Sequence, residues 1–142
     1  VVLLDSLNKR VKFLNAVVEE LGLKSIKAIH GRAEDIAKQK EYRESFDLCV
    51  SRAVANLSSL SEYCLPFLKR GGMFVSYKSG TVDEELKKAK KAIFLLGGEK
   101  KKVIKFILPD SDIERSLVMI QKIKGTPEKY PRKAGVPAKE PL

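Results

Sequence analysis

The sequence has few of the residues that usually carry metal or covalent chemistry. Its 142 residues include two cysteines, one histidine and no tryptophan. Cys49 and Cys64 show neither zinc-type spacing nor a disulfide framework, so we expect no metal site and a reduced, cytoplasmic protein. His30 is the only histidine. One histidine does not make a triad, and we predict a structural role for it.

Long apolar runs are also missing. No run approaches the roughly 18 residues that a membrane-spanning helix needs, so we expect no membrane association. The chain opens without an initiator methionine or a basic leader region. Residues 1–4 resemble a buried strand, and a chain rarely starts in the middle of a sheet. We therefore expect this chain to be a piece of a longer protein.

The sequence has fewer acidic than basic residues. The chain has 28 Lys and Arg against 18 Asp and Glu, a formal net charge of +10. Basic patches are typical of nucleic-acid binding. For the lysines of residues 87–91 a solvated helix face is the better interpretation. For residues 125–142, a surface role and RNA contact through Arg132, Lys133 and Lys139 both stay open.

Hydrophobic spacing predicts alternating strands and helices. Leu7, Val11, Leu14 and Val18 lie on one helical face, with Ser6 as the expected cap and Gly22 as the stop. Strands are predicted at residues 1–5, 26–30, 46–51, 73–77, 103–108 and 116–123. Helices are predicted at residues 7–21, within 32–45, at 54–68 and at 82–96. This order predicts an α/β fold with a mostly parallel sheet and a terminal antiparallel hairpin.

We expect residues 1–124 to form one partial domain and residues 125–142, here called the tail, to belong to it. The tail has four prolines and two glycines in 18 residues, so we predict an extended and irregular segment. A terminal hairpin on a parallel sheet is typical of Rossmann-like class I methyltransferases that use S-adenosylmethionine. In that fold, the missing piece is the first strand and its glycine-rich turn.

Residues that follow the predicted strands are the candidate binding residues, because open α/β sheets bind ligands at strand carboxyl ends. Asp5 could accept hydrogen bonds from a ribose diol, or only share helix capping with Ser6. Ala33 N–H could meet an adenine ring nitrogen, and Glu34 or Asp35 the exocyclic amine. The alternative there is a helix start that favours acids.

Arg52 follows the third predicted strand and is either a site residue or an ordinary surface charge. Its small neighbours Ser51, Ala53 and Asn56 could line a pocket. This segment has no Asn-Pro-Pro-aromatic motif, the usual signature of amino-group methylation.

Four strings together carry a family resemblance: LLDSLNKRVKFL, HGRAED, FDLCVSRAVANL and RKAGVPAKEPL. They resemble the RsmG family, also called glucose-inhibited division protein B, over essentially the whole chain. Its members are bacterial guanine-N7 methyltransferases of small-subunit (16S) ribosomal RNA. The resemblance implies an S-adenosylmethionine site that uses Ala33 and Glu34, with Arg52 in contact and Asp5 near the ribose. The family's N-terminal helices, first strand and glycine-rich loop would precede Val1, so we expect this piece to be inactive alone.

Guanine N7 carries a lone pair and no proton, so its methylation needs no general base. We therefore assign no catalytic residue. Two other classes stay open: a nicotinamide-dependent Rossmann oxidoreductase, which would share a strand-end Asp5, and a non-catalytic RNA-binding module, which would share the basic tail.

Overall fold

A computed structural model describes residues 1–52 and 55–142 of the chain. Six strands form two sheets. The strands are β1 (Val2–Asp5), β2 (Lys27–His30), β3 (Phe46–Arg52), β4 (Leu68–Ser79), β5 (Gly98–Ile107) and β6 (Glu114–Lys122). The helices are α1 (Asn8–Glu20), α2 (Ala33–Ile36), α3 (Leu57–Cys64), α4 (Asp83–Leu95) and α5 (Val136–Lys139), with a 3₁₀ turn at Leu65–Phe67.

The predicted α/β fold with a terminal antiparallel hairpin is confirmed. Strands β1 and β2 pair in parallel, as do β3 and β4, and β6 runs antiparallel to both β4 and β5. The second sheet has the order β3-β4-β6-β5. In the described part of the chain, β1 and β3 are both edge strands. The strands therefore lie in two sheets rather than one continuous sheet.

Helices α3 and α4 cover one face of the four-stranded sheet. Phe74 and Ile120 point into that core and are fully buried with Leu57 and Leu60 of α3. Side chains alternate along a strand, so the residues between the buried ones point to the opposite face of the sheet. In the described part of the chain that face is open. There Leu48 is 56% exposed.

Two element boundaries differ from the sequence prediction. Ser6 does not cap α1; Asp5 Oδ1 instead accepts a hydrogen bond from Leu7 N at 2.8 Å. The helix predicted at residues 54–68 is shorter: α3 begins at Leu57, where Asn56 accepts from Ser59 N, and Pro66 lies in a 3₁₀ turn before β4. The predicted start at residue 54 lies outside the described residues.

The tail is less free than its composition predicts. It is irregular apart from α5, but Thr126, Tyr130 and Pro137 are buried. Tyr130 belongs to the main core cluster, which includes Leu57 and Leu60. The tail therefore packs on the domain as part of its surface layer.

Candidate functional site

Two predicted binding residues lie at the carboxyl ends of paired parallel strands. Asp5 is the last residue of β1 and is in register with His30, the last residue of β2. Ala33 and Glu34 follow three and four residues later, at the start of α2. The structure thus brings Asp5, Ala33 and Glu34 to one edge of the first sheet, where ligands of open α/β sheets bind.

Asp5 has local partners as well as this position. Its Oδ1 accepts from Leu7 N at 2.8 Å, and its Oδ2 lies 3.4 Å from Arg10 Nη1. A carboxylate has about four lone-pair sites, so two contacts leave capacity for further donors. Asp5 therefore binds the backbone at the start of α1 without Ser6, and it keeps lone pairs that could accept from a ribose diol.

A tight turn links β2 to α2. His30 Nε2 lies 3.1 Å from Ser6 O, and Gly31 N donates to Asp5 O at 3.1 Å. A Cβ at Gly31 would lie 2.8 Å from the side chain of Ile36, which would have to move to make room for it. Ala33 is the first residue of α2, and N–H groups in a first helical turn have no acceptor within the helix.

Glu34 has a partner far along the chain. Its side chain is 5% exposed, and its Oε1 accepts a hydrogen bond from Gly135 N at 2.9 Å. A buried carboxylate is costly unless hydrogen-bonded, and the tail supplies the donor. No pattern in the sequence predicts this contact between the tail and α2.

A second contact fixes the tail to α3. Glu62 is fully buried, and its carboxylate accepts four hydrogen bonds from Arg132: one from the backbone N, two from Nε and one from Nη2, at 2.7 to 3.2 Å. These hydrogen bonds raise the pKa of Arg132 above its ordinary value. Lys133 and Lys139 are exposed, as the RNA prediction supposes, whereas the fork of Arg132 is occupied by protein.

The start of the tail is held by a third group of contacts. Arg43 donates from Nη2 to Thr126 O at 2.8 Å and from Nη1 to Tyr130 O at 3.0 Å. Glu44 accepts from Thr126 N at 2.7 Å and lies 3.1 Å from Nζ of the buried Lys122. Burial alone would raise the pKa of Glu44, but the hydrogen bonds from Thr126 and Lys122 outweigh it and lower that pKa.

Lys78 is a buried cation that sequence reasoning missed. It lies near the carboxyl end of β4, and its Nζ donates to Ala55 O and Glu85 Oε1, both at 2.7 Å. Glu85 Oε1 also accepts from Leu57 N at 2.6 Å. These contacts fix the start of α3 at Leu57. The available signal was its spacing: Lys78 lies two residues after Ser76 in the same strand, so both side chains point to the same face of the sheet.

Arg52 ends β3 in register with Tyr77 and is exposed. Ala53, predicted as a pocket-lining neighbour, lies outside the described residues. Within residues 1–52 and 55–142, no helix is long and apolar enough to cross a membrane. The same residues contain no group of three His, Cys, Asp or Glu side chains that could hold a metal ion.

Comparison with solved structures supports the fold. An rRNA methylase from Streptococcus thermophilus superposes with a TM-score of 0.59 at 16% identity, over 87% of this chain and 73% of that one. M. jannaschii TYW2, solved in complex with AdoMet, gives a TM-score of 0.64 at 12% identity, over 86% of this chain and 57% of that one. These two likenesses agree with the class I methyltransferase fold predicted from the sequence.

Comparison with known sequences gives the family. The chain is 56% identical, over all 142 residues, to the ribosomal RNA small subunit methyltransferase G of Clostridium tetani (strain Massachusetts / E88), and spans 59% of that protein's length. The family model for rRNA small subunit methyltransferase G (GidB) matches residues 1–118. This agrees with the resemblance drawn from the sequence strings. The chain belongs to the rRNA small subunit methyltransferase G family.

Proposed function

We propose that this protein, at the full length of its relatives, uses S-adenosylmethionine to methylate guanine N7 in small-subunit (16S) ribosomal RNA. The observation that carries the proposal is the set of groups at the ends of β1 and β2 in a chain of this family. Asp5, Ala33 and Glu34 follow paired parallel strands and offer two carboxylates and one N–H. A cytoplasmic location agrees with a ribosomal substrate.

These groups fit the adenosine part of the cofactor. An adenosine offers a diol and an exocyclic amine as donors, and ring nitrogens as acceptors. In our proposal Asp5 accepts from the ribose diol, Ala33 N–H donates to the adenine ring and Glu34 accepts from the amine. Among the described hydrogen bonds, Glu34 receives only the one from Gly135, to Oε1, so Oε2 has capacity for the amine.

The chain's residues act by binding and orienting. S-adenosylmethionine supplies, when bound, an electrophilic methyl group on a positively charged sulfur. Since guanine N7 has no proton to lose, no residue is needed as a base. Placing the two reactants in line lowers the activation barrier, by up to about 7–11 kcal/mol in ideal cases. We propose that Arg52 binds the carboxylate of the cofactor, and that Lys133 and Lys139 hold RNA phosphates.

The test is ligand binding followed by product analysis on the full-length protein. Calorimetry with S-adenosylmethionine and with NAD separates the methyltransferase from a nicotinamide-dependent enzyme. Incubation with small ribosomal subunits and labelled cofactor, followed by nucleoside analysis, tests for 7-methylguanosine. We expect cofactor binding and one labelled 7-methylguanosine. Binding of NAD instead, or RNA binding without methyl transfer, would point to the two other classes.

A further inference from the structure

The tail joins the candidate cofactor edge through one hydrogen bond that spans 101 positions of sequence. Gly135 N donates to Glu34 Oε1 at 2.9 Å. Gly135 has φ +85°, a backbone conformation that favours glycine, and stands immediately before α5. The backbone at this point is therefore shaped to aim its N–H away from the tail and toward α2.

Two contacts on α3 hold Gly135 in place. Three residues before it, Arg132 makes its fork to Glu62; two residues after it, Pro137 O accepts from Ser59 Oγ at 2.6 Å. Glu62 and Ser59 are three positions apart and so share one face of α3. Both Ser59 and Glu62 are fully buried, so the tail is fixed along this face on either side of Gly135.

We propose that Arg132 is a positioning residue for cofactor binding. By pairing with Glu62 it holds the tail against α3, so that the N–H of Gly135 fixes the carboxylate of Glu34 with Oε2 directed to the adenine amine. This inference rests on the proposed contact between Glu34 and the cofactor. It gives Arg132 a role other than RNA contact.

The arrangement suits preorganisation rather than direct contact. A glutamate with three rotatable side-chain bonds loses conformational freedom when it binds, and a bond already made to Oε1 removes part of that cost beforehand. The guanidinium itself is taken up by protein: Nε and Nη2 reach Glu62, and Nη2 also donates to Glu140 O at 2.8 Å. Arg132 therefore acts on the cofactor through the backbone of the tail.

The experiment measures selectivity for adenine, which a merely structural role does not change. Calorimetry on the full-length protein compares S-adenosylhomocysteine with its purine-riboside analogue, which lacks the exocyclic amine but keeps the ring nitrogens as acceptors. We expect the unchanged protein to prefer the adenosine ligand by about tenfold or more, the effect of one hydrogen bond to a charged acceptor. Lys129→Gln, which changes an exposed cation three residues earlier in the tail than Arg132, is the matched control and should keep that preference.

Two variants remove the positioning, and the first of them leaves neither charge of the Arg132–Glu62 pair buried without its partner. The pair Glu62→Gln with Arg132→Gln removes the fork, and deletion of residues 134–142 keeps the fork but removes the Gly135 donor. Both variants should reduce the preference for the adenosine ligand severalfold, toward equal binding of the two ligands. The conservative variant Arg132→Lys should retain part of the preference. An unchanged preference in the Gln pair, with the fold intact by circular dichroism, overturns the proposal.

A further variant separates this proposal from the proposed function. Glu34→Ala should abolish the preference. If Glu34→Ala keeps the preference, the proposed contact between Glu34 and adenine fails, whatever the tail variants do. If Glu34→Ala abolishes it while the Gln pair and the deletion keep it, the contact stands and the positioning role of Arg132 is refuted.

Discussion

Replacing Arg132 with alanine removes three of the four hydrogen bonds that reach the buried carboxylate of Glu62. Only the bond from the Arg132 backbone N at 2.7 Å would remain. Breaking a buried ion pair from one side costs about 3–5 kcal/mol, because the remaining charge is left without compensation. The side chain of Arg132 is 24% exposed. Removing this side chain lets water reach the carboxylate of Glu62, so we expect a loss of stability at the lower end of that range, about 3 kcal/mol.

The opposite truncation should be milder. In Glu62→Gln no charge stays buried without a partner, since the guanidinium of Arg132 can still reach water. We expect a cost of about 1–2 kcal/mol, the range for a lost hydrogen bond. The double variant Glu62→Gln with Arg132→Ala removes both charges of this pair. It should therefore be more stable than Arg132→Ala alone, by at least about 1 kcal/mol.

Urea unfolding of the full-length protein, followed by circular dichroism, checks this order. The m-value should stay constant, so the midpoint alone reports the change in free energy. In thermal melts, a loss of 3 kcal/mol should lower Tm by roughly 10 °C for a chain of this size. The reasoning is refuted if Arg132→Ala costs no more than Glu62→Gln, or if the double variant is the least stable of the three.

Four further outcomes are expected. Asp5→Ala in the full-length protein should weaken S-adenosylmethionine by about 1–3 kcal/mol in calorimetry; unchanged affinity would remove Asp5 from the site. Replacing Lys133 and Lys139 with alanine should weaken RNA binding and flatten its salt dependence by up to about two units of slope, with cofactor affinity retained as the control. Folding lowers the pKa of Glu44, so its ionised carboxylate contributes to stability in full above the unfolded value of 4.5, and this contribution is lost as the pH falls through the folded value. In acid titrations, Glu44→Gln should therefore lose less stability than the unchanged protein. The 142-residue chain alone should self-associate in light scattering through its edge strands and open sheet face, and Leu48→Lys should reduce this; a monodisperse monomer would contradict it.

The elements could be predicted because their signals are local. The helical spacing of Leu7, Val11 and Leu14 and the stop at Gly22 identify α1 to within a residue or two. Boundaries that depend on a competing partner were harder to predict. Asp5, and not Ser6, satisfies the backbone at the start of α1, because its carboxylate reaches Leu7 N from the end of β1.

The candidate site could be predicted only in part. Strand ends are recognisable from sequence, so position alone pointed to Asp5 and to the segment after the second strand. The family resemblance then indicated Ala33 and Glu34 within that segment. The partners of the tail were not, because Gly135 meets Glu34 over 101 positions and Arg132 meets Glu62 over 70. Composition indicated an irregular segment, and proline and glycine do favour that. It does not indicate which carboxylates the segment will neutralise.

The buried acids of this domain explain why a segment so rich in proline and glycine is ordered. Glu62 is completely enclosed and Glu34 nearly so, and a buried carboxylate is costly unless it is hydrogen-bonded. Arg132 and Gly135 supply those donors from the tail, and Arg43 fixes the point where the tail begins. Releasing the tail would leave two carboxylates without their observed partners, and that loss favours the ordered tail. The tail is thus held by hydrogen bonds and ion pairs to buried acids and by Tyr130 in the core, rather than by regular structure.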